Sequence, residues 1–491
     1  MNLLRRPGPW VFAILLASYA FFWHGRDWNA ASRLMLTYAL VDRGTIRIDG
    51  LEDQTHDIAR RDGHYYTDKT PGFSLAGALP YAALKPALSL ADHPLGARGF
   101  AHWPADYWVT LGTSGLASAL AGVILAGLAV DLGCGPRRAA LVALAYGLAT
   151  PAYAYATLAY GHQLAAFGLL ASFALLWREG PRPRLRLRLR LRSGLAGFCA
   201  AYASVVEIQV GPVSAILGLY LVALAIGRRR PASAVLAFGL GAAVPTLILL
   251  GYNKLAFGSP WKMGYFFLVT ERFAQVHSAS NPLGLARPDW ARLAELIWGE
   301  RRGLLRYAPI VALTVPGLAV LAGRRLWGMA LVCTATIVAV FLVNLSYPEW
   351  TGGWTTGPRL LVPLLPFAML PVAAMLAGGG RPATVVAIVL ALTGGVVILM
   401  FQAIGARVPD GIARPLVDAV WPIWRGDRPL PGWLYGNRWA RNLVGVALPG
   451  PVRGLPTWAG WAQFAPLVLF QIAAIGLMGR SLGQPEGPGP R

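Results

Sequence analysis

The 491-residue chain is 56% hydrophobic and 13% charged, and its formal net charge is +22. Soluble proteins carry about 25% charged residues, so this composition excludes an ordinary soluble enzyme. The positive charge does not indicate nucleic-acid binding, because the arginines lie in short loops between apolar segments. The 3 cysteines have no CxxC partner, so neither a disulfide framework nor a zinc site is implied. The sequence therefore predicts a polytopic membrane protein.

Apolar segments along the chain predict membrane-spanning helices, each of which needs about 20 apolar residues. The first segment follows Arg5 and Arg6 and resembles a signal peptide. It has no small-x-small cleavage site, so we expect it to be retained as a span. Spans are predicted near residues 8–23, 107–131, 138–154, 161–177, 194–206, 211–227, 232–253, 306–322, 328–345, 359–378, 382–403 and 459–479.

One further apolar stretch, residues 73–90, contains two prolines and a lysine. The arginine clusters before and after it fall on the same side of the membrane only if this stretch does not cross. We therefore expect a re-entrant or interfacial helix pair here.

The loop charges divide into two sets. By the positive-inside rule, the arginine-rich loops face the cytoplasm together with both termini. Most other polar residues lie in loops on the outer side, in residues 24–106, 254–305 and 404–458. The arginine clusters are Arg5–Arg6, Arg137–Arg138, the run 178–192, Arg228–Arg230, Arg324–Arg325, Arg381 and Arg480.

Two segments have patterns that suggest a membrane-surface role. Residues 28–43 have apolar residues at helical spacing and predict an amphipathic helix that lies on the membrane. Residues 182–192 alternate leucine and arginine, which would make an amphipathic strand. As a cytoplasmic loop within 178–193, the same run would be a polybasic patch worth up to about 1 kcal/mol per basic residue near acidic lipid headgroups. We favour this anchoring role.

A first cluster of chemically capable residues lies in residues 55–72, THDIARRDGHYYTDKTPG. Asp62 and Gly63 predict a turn. Asp68 and Lys69 stand just before the chain enters the bilayer, where the lysine would face an anionic phosphate in the headgroup region. The alternative is a snorkelling lysine beside an aromatic belt.

A second cluster lies in residues 346–360, SYPEWTGGWTTGPRL. Trp350 and Trp354 offer flat apolar faces of the kind that stack on sugar rings. Arg359 follows Pro358 in the first turn of a predicted helix, where a cation is unfavourable unless an anion binds there. The alternative is an interfacial arginine paired with Glu349.

His162 and Glu207 stand apart from both clusters, each at the outer end of a predicted span. A carboxylate within the membrane indicates function, whereas a lone histidine is more often structural. Metal binding by these two residues and an aspartate has no ligand spacing to support it. No cofactor is predicted, and a divalent cation is left open.

These motifs together resemble bacterial members of the GT-C glycosyltransferase superfamily over roughly residues 25–375. The resemblance includes NAASRLMLTYALVDRGTIRID, YYTDKTPG, YATLAYGHQLAAF, YNKLAFGSP, RRGLLRYAPIVAL and WTGGWTTGPRLLVPLLPF. YYTDKTPG is more distantly similar to the EKPP-type segment of transferases that move aminoarabinose to lipid A, and protein O-mannosyltransferases are also distant relatives. The resemblance implies an all-α, GT-C-like membrane protein of about 12 transmembrane helices, with amphipathic juxtamembrane helices in the first outer loop.

The resemblance also implies a domain arrangement and a location. Residues 1–403 would form the catalytic membrane module, with 24–106 and 254–305 as outer loops. Residues 404–458 would form an outer-face region, and 459–491 the last span with a cytoplasmic tail. The protein would lie in the bacterial inner membrane with its active site at the periplasmic face.

GT-C enzymes use an acidic residue of the first outer loop as base or to orient the acceptor. Ala30 follows Asn29 where relatives often carry that acid. Asp57 is then the preferred catalytic residue, with Asp27 and Asp42 as alternatives. By the same resemblance Lys69 contacts the carrier phosphate. The predicted substrate-binding residues are Lys69, Arg359, Asp68, His162, Glu207, Trp350, Trp354, Arg33 and Tyr66.

The predicted function is transfer of a sugar from a polyprenyl-phosphate donor to an envelope glycan, lipid or protein. Such a reaction needs a base, cations for the leaving phosphate and an apolar entry for the prenyl tail, which grooves beside residues 73–90 would supply. A nucleotide-sugar donor is disfavoured because the chain has no P-loop or GxGxxG fingerprint. The alternatives are a transporter or flippase of anionic lipid, for which no inverted repeat is visible, and a non-catalytic envelope subunit.

Overall fold

The computed structural model describes residues 5–90, 103–177, 186–277, 281, 283–425, 427 and 462–483. The chain is mostly helical, with one small β-hairpin. We number the elements in chain order: α1 (Pro7–Ala20), α2 (Trp28–Arg43), β1 (Ile58–Arg61), β2 (His64–Thr67), α3 (Gly72–Leu90), α4 (Trp103–Thr110), α5 (Leu116–Asp131), α6 (Pro136–Leu148), α7 (Ala152–Ala156), α8 (His162–Trp177), α9 (Arg186–Val206), α10 (Gly211–Ile226), α11 (Ala232–Phe257), α12 (Glu271–Ala274), α13 (Arg292–Trp298), α14 (Leu304–Tyr307), α15 (Thr314–Gly323), α16 (Trp327–Leu345), α17 (Leu365–Gly378), α18 (Gly380–Ile404), α19 (Trp421–Arg425) and α20 (Ala465–Ser481).

Within the described part of the chain, 6 helical segments are long and apolar enough to cross a membrane. They are Pro104–Asp131, Ile208–Ile226, Ala232–Phe257, Trp327–Leu345, Arg359–Gly378 and Gly380–Ile404. Shorter apolar helices are Pro7–Ala20, His162–Trp177, Pro309–Gly323 and Ala465–Ser481. The chain is thus a multi-pass membrane protein. Every predicted span contains a helix, and the count of about 12 crossings stays a prediction.

The arginine clusters cap helix ends that point away from the first loop. Carbonyls in the last turn of a helix lack an intrahelical partner, and a cation is favourable at that negative end. Guanidinium groups donate to such carbonyls at 2.8–3.3 Å: Arg137 to Gly479, Arg138 to Leu376, Arg324 to Leu132, Arg192 to Leu175 and Arg230 to Leu176. The arginine-rich end of the bundle is therefore held together by side chain to backbone bonds.

The first loop contains a β-hairpin, which corrects the all-α expectation. Strand β1 pairs antiparallel with β2, from Ile58 opposite Thr67 to Arg61 opposite His64. Asp62 and Gly63 connect the strands with φ of 49° and 79°. An Asp-Gly pair favours such a turn because both residues tolerate positive φ. The predicted turn is confirmed, and the flanking strands were missed.

Helix α2 is buried on both faces, so its polar side is not exposed to water or headgroups as its amphipathic pattern predicted; its orientation to the membrane stays a prediction. Residues 30–39 are all buried. One face packs on Ile48 and Tyr66 of the hairpin region, and the other packs on Phe73 and Tyr81 of α3. The polar residues that gave the amphipathic pattern bond inside the protein. Ser32, Arg33 and Thr37 contact Thr67, Glu207 and the carbonyl of Ser74, respectively.

Residues 72–90 form one continuous helix, α3, so the expected helix pair is wrong. Pro80 and Pro86 lie inside it. Near its start Ser74 donates to the carbonyl of Arg33 at 2.7 Å, and further along Lys85 pairs with Asp42 at 2.9 Å. Helix α3 therefore runs alongside α2 in the same direction, and α3 is not among the helices of membrane-crossing length and apolarity.

The polybasic run is helical from Arg186 onward, because α9 extends from there to Val206. This corrects both the loop expected over 178–193 and the strand alternative; residues 178–185 lie outside the described part. Leucine and arginine are both good helix formers, so their alternation does not enforce a strand. In residues 404–458, the region expected at the outer face, a π-helical turn at Pro415–Val420 leads into α19, and residues 428–458 lie outside the described part.

The course of α3 predicts a labelling pattern. In a chain whose three cysteines are replaced, single cysteines at Asp62 and Ala87 should both react with a membrane-impermeant maleimide from the outer side. A cysteine at Gly135 should react only after the membrane is opened. All three positions are exposed. If the cysteine at Ala87 instead labels together with that at Gly135, α3 crosses the membrane and the predicted topology is wrong.

Candidate functional site

Asp27 caps the start of α2 and is the most connected acid of the first loop. Its carboxylate accepts from the amide of Ala30 at 2.9 Å and pairs with Arg407 at 3.2 Å. The hydroxyl of Tyr160 also donates to it. Burial alone would raise the pKa of Asp27, but Arg407, Tyr160 and Ala30 hold it below its ordinary value. Asp27 is therefore an ionised carboxylate with its acceptor positions largely occupied.

Lys69 lies between two carboxylates. Its ammonium group is 2.9 Å from Asp57 and 2.7 Å from Asp68. All three side chains are buried or nearly so. Burial acts to lower the pKa of Lys69, but the two carboxylates hold it above its ordinary value. Lys69 is therefore not a snorkelling lysine. Its single positive charge lies between the two carboxylates of Asp57 and Asp68.

Asp57 stands beside this lysine and near the start of α2. Burial and the charge of Asp68 raise its pKa above the ordinary value, although Lys69 opposes the shift. The negative charge of Asp27 also raises the pKa of Asp57. Asp27 and Asp57 therefore lie near each other. A carboxylate with a raised pKa is a better proton acceptor than an ordinary one.

Asp42, the third candidate acid, is at the other end of α2. It pairs with Lys85 and accepts from Tyr81, both at 2.9 Å. Fifteen residues of helix separate it from Asp27, a distance of about 22 Å at 1.5 Å per residue. It therefore belongs to the contact between α2 and α3 and not to the same group as the other two acids.

Glu207 accepts two bonds on a single oxygen, Oε1. Arg33 donates to it at 2.6 Å, and His162 Nδ1 lies 3.0 Å away. Burial alone would raise the pKa of Glu207, but Arg33 and His162 hold it at about 2. The carboxylate is therefore ionised and can only accept. An added Cβ at Gly161 would collide with this oxygen, so a side chain there would displace the carboxylate from its position.

Arg359 begins a 3₁₀ turn, Arg359–Leu364, that leads into α17. Its guanidinium lies 5.3 Å from the centre of the Tyr160 ring. Its Nε is buried and has no hydrogen-bond partner. Among the described residues it forms no ion pair with a carboxylate, and Glu349, the partner considered from the sequence, pairs with Arg272 at 3.3 Å. Arg359 therefore has an unused donor at the helix start and no ion-pair partner among the described residues, and the charges of Glu207 and Asp27 act on it from a distance.

Two tyrosines connect these groups. Burial raises the pKa of Tyr347, and the charges of Lys69 and Arg359 both act against that shift. Burial also raises the pKa of Tyr265, where Lys69 opposes the shift and Asp68, Tyr347 and Glu207 add to it. Each tyrosine therefore lies among charges from different elements.

We refer to the whole group as the polar cluster: Asp27, Arg33, Asp57, Asp68, Lys69, Tyr160, His162, Glu207, Tyr265, Tyr347, Arg359 and Arg407.

The aromatic candidates have different surroundings. Trp354 is 46% exposed and therefore accessible to a ligand. Trp350 has the guanidinium groups of Arg292 and Arg301 each 6.0 Å from its ring, so it is engaged with the protein. Tyr66 is buried in the hairpin core, where its ring packs 5.6 Å from that of Phe257. Tyr66 thus supports the first loop.

Sequence reasoning missed two arginines that hold the site. Arg407 donates to the carbonyl of His24 at 2.6 Å and pairs with Asp27. Arg302 is fully buried and donates at 2.9 Å to the carbonyls of both Thr351 and Gly353, so it fixes the loop before Arg359. The only signal for Arg302 was the motif RRGLLRY, which shows neither its burial nor its partners.

The loop that Arg302 holds depends on glycine. Gly352 and Gly353 both have φ of 73°, a region that residues with a side chain rarely adopt. A Cβ at Gly352 would also lie 3.2 Å from Nε of Arg359. These glycines let the backbone pass close to the arginine.

Among the described residues, no group of three or more His, Cys, Asp or Glu side chains is placed to hold a metal ion. The cluster's carboxylates are instead engaged by arginine, lysine and tyrosine.

No family model matches the chain, and no curated protein matches it. Two solved structures are similar to it: crystal structures of ArnT from Cupriavidus metallidurans in the apo state and bound to undecaprenyl phosphate. Both have a TM-score of 0.49, with 17% and 16% sequence identity, and cover 96% of this chain. The match spans 75% and 76% of the ArnT chains.

Proposed function

We propose that the protein transfers a sugar from a polyprenyl-phosphate carrier to a hydroxyl acceptor at the outer face of a bacterial inner membrane. The observation that supports this most is the buried Nε of Arg359, which has no hydrogen-bond partner in the protein and belongs to a guanidinium that forms no ion pair among the described residues. A buried donor left without a partner is costly unless a ligand satisfies it. The phosphate of a membrane carrier has the required charge, and a guanidinium can grip two of its oxygens.

In the proposed reaction Asp57 removes the proton of the acceptor hydroxyl as its oxygen attacks C1 of the sugar. The bond from C1 to the phosphate oxygen breaks, and its electron pair stays on the leaving phosphate. Arg359 stabilises the charge that develops there, as oriented donors do in other transferases. Lys69 lies close enough to Asp57 to orient it and adds a second cation near the phosphate.

The position of the polar cluster favours a transferase over a transporter. A transport path needs polar groups near the membrane midplane. The groups described here gather in the first loop and at the helix ends nearest to it, as with Asp27 at the start of α2 and His162 at the start of α8. The unused donor of Arg359 in this cluster favours a ligand site over the third alternative, a non-catalytic subunit.

The test uses the full-length protein in detergent or proteoliposomes with polyprenyl-phosphate sugars of different sugar type. Conversion of the donor to free polyprenyl phosphate, with the sugar appearing on an added envelope extract, is the expected result. Lipid extraction from a deletion strain should show an accumulated polyprenyl-phosphate sugar. Movement of an intact labelled lipid between leaflets without any sugar transfer would overturn the proposal in favour of a flippase.

A further inference from the structure

Two nitrogen atoms beside Glu207 are buried without a hydrogen-bond partner in the protein: Nη1 of Arg33 and Nε2 of His162. The two residues are 2% and 3% exposed. Both already contact the same carboxylate oxygen through their other nitrogens. A buried polar atom left unsatisfied is costly, so native proteins satisfy nearly all of them. These atoms therefore indicate a place where a polar ligand group binds.

The charge at this place is balanced. Arg33 and Glu207 form a pair of opposite charges, so the pair itself carries no net charge, and the neighbouring Arg359 is the cation left for the phosphate. An ionised carboxylate only accepts hydrogen bonds, so Nδ1 of His162 is the donor to Glu207. In neutral histidine, Nε2 is then an acceptor. Arg33 Nη1 is a donor. One donor and one acceptor suit hydroxyl groups, whereas phosphate oxygens offer no proton to Nε2.

The walls around the ion pair are aromatic. Tyr155 stacks on His162 with ring centres 5.6 Å apart, and Tyr160 meets it edge-on at 6.0 Å. Phe73 lies 6.0 Å from the guanidinium of Arg33. Sugar rings combine hydroxyl edges with apolar faces, so a charged pair between aromatic rings fits them well. The guanidinium of Arg359 also lies over the ring of Tyr160. The proposed phosphate position is therefore next to the pair of Arg33 and Glu207.

We propose that Arg33, His162 and Glu207 form a subsite for adjacent hydroxyl groups of a neutral sugar, the one attached to the carrier phosphate. This inference rests on the proposed function and names its donor class: a sugar without an amino or carboxylate group. Arg33 and Glu207 satisfy each other's charge, so neither the ammonium group of an amino sugar nor the carboxylate of a uronic acid finds an unpaired counter-charge in this pair. Arg33 and His162 are thus hydroxyl-binding residues, and Glu207 positions both.

The experiment compares polyprenyl-phosphate donors that differ at single hydroxyls. The wild type should use a neutral hexose donor better than at least one of its monodeoxy analogues, by roughly 10- to 150-fold in kcat/KM, which is the value of one charge-assisted hydrogen bond. His162→Gln should lower kcat/KM for the hexose donor and reduce that ratio toward 1. An amino-sugar donor should be poorer than the hexose in the wild type.

The matched control is His64→Gln. His64 also pairs with a carboxylate, Asp49, at 2.8 Å, but both are about 39% exposed on the hairpin. This variant should keep the wild-type preference for the hydroxylated donor. Arg33→Lys, which keeps the charge and loses Nη1, should also reduce the preference and guards against a folding defect specific to His162→Gln.

The outcomes separate this inference from the proposed function. If the wild type transfers sugar but His162→Gln and Arg33→Lys keep the full deoxy discrimination, the subsite is wrong and the transferase stands. The same holds if an amino-sugar donor is preferred. If the wild type transfers sugar from none of the carriers, the proposed function itself fails.

Discussion

Replacing Arg359 with lysine should weaken donor binding by roughly 10- to 150-fold, because one charge-assisted contact to phosphate is worth about 1.5–3 kcal/mol. Lysine keeps the positive charge but loses the planar fork that grips two oxygens. The loss should appear in the apparent affinity for the polyprenyl-phosphate donor and much less in that for the acceptor. Titration of each substrate at saturating concentration of the other measures the difference.

The matched control for this variant is Arg272→Lys. Arg272 is largely exposed and pairs with Glu349, so the same change there should leave donor affinity intact. Lys69→Ala should reduce donor affinity less than Arg359→Lys, since Lys69 is already engaged by Asp57 and Asp68. Unchanged donor affinity in both Arg359→Lys and Lys69→Ala would place the phosphate elsewhere.

Replacing Asp57 with asparagine should reduce the transfer rate by about 10²- to 10⁴-fold, the usual contribution of a general base. The substitution preserves the size of the side chain, so the protein should still insert and fold. The pH profile gives an independent readout. The base works when ionised, so wild-type kcat/KM should fall as pH drops through the pKa of Asp57. That limb should lie above the ordinary carboxylate range because the pKa is raised, and it should vanish in Asp57→Asn.

Three other substitutions serve as comparisons for Asp57→Asn. Asp49→Asn, on the hairpin beside His64, should leave the rate unchanged. Asp42→Asn should be mild, since Asp42 contacts Tyr81 and Lys85 about a helix length away. Asp27→Asn is the informative rival: if it abolishes transfer while Asp57→Asn retains activity, Asp27 is the base and the assignment to Asp57 is wrong.

The hairpin and α2 illustrate what a sequence pattern leaves open. The pair Asp62–Gly63 predicted the turn because positive φ is a local property of those residues. The four-residue strands beside it are too short to give a clear alternation. In α2 the polar face predicted contact with water or headgroups, but Ser32 and Arg33 find their partners in Thr67 and Glu207. A hydropathy pattern reports that a residue is polar and not what satisfies it.

Composition and apolar segment length determined by themselves that this is a multi-pass membrane protein, because a bilayer admits few structures other than apolar helices. Local motifs also predicted which acids, histidine and arginines are candidate site residues. The tertiary structure decided which of these side chains are paired and which lie close together. It paired Lys69 with two carboxylates, placed Asp42 far from Asp27 and left the Nε of Arg359 without a hydrogen-bond partner. Whether a charge is paired depends on residues far apart in the chain, such as Arg33 and Glu207, and sequence spacing carries no information on those distances.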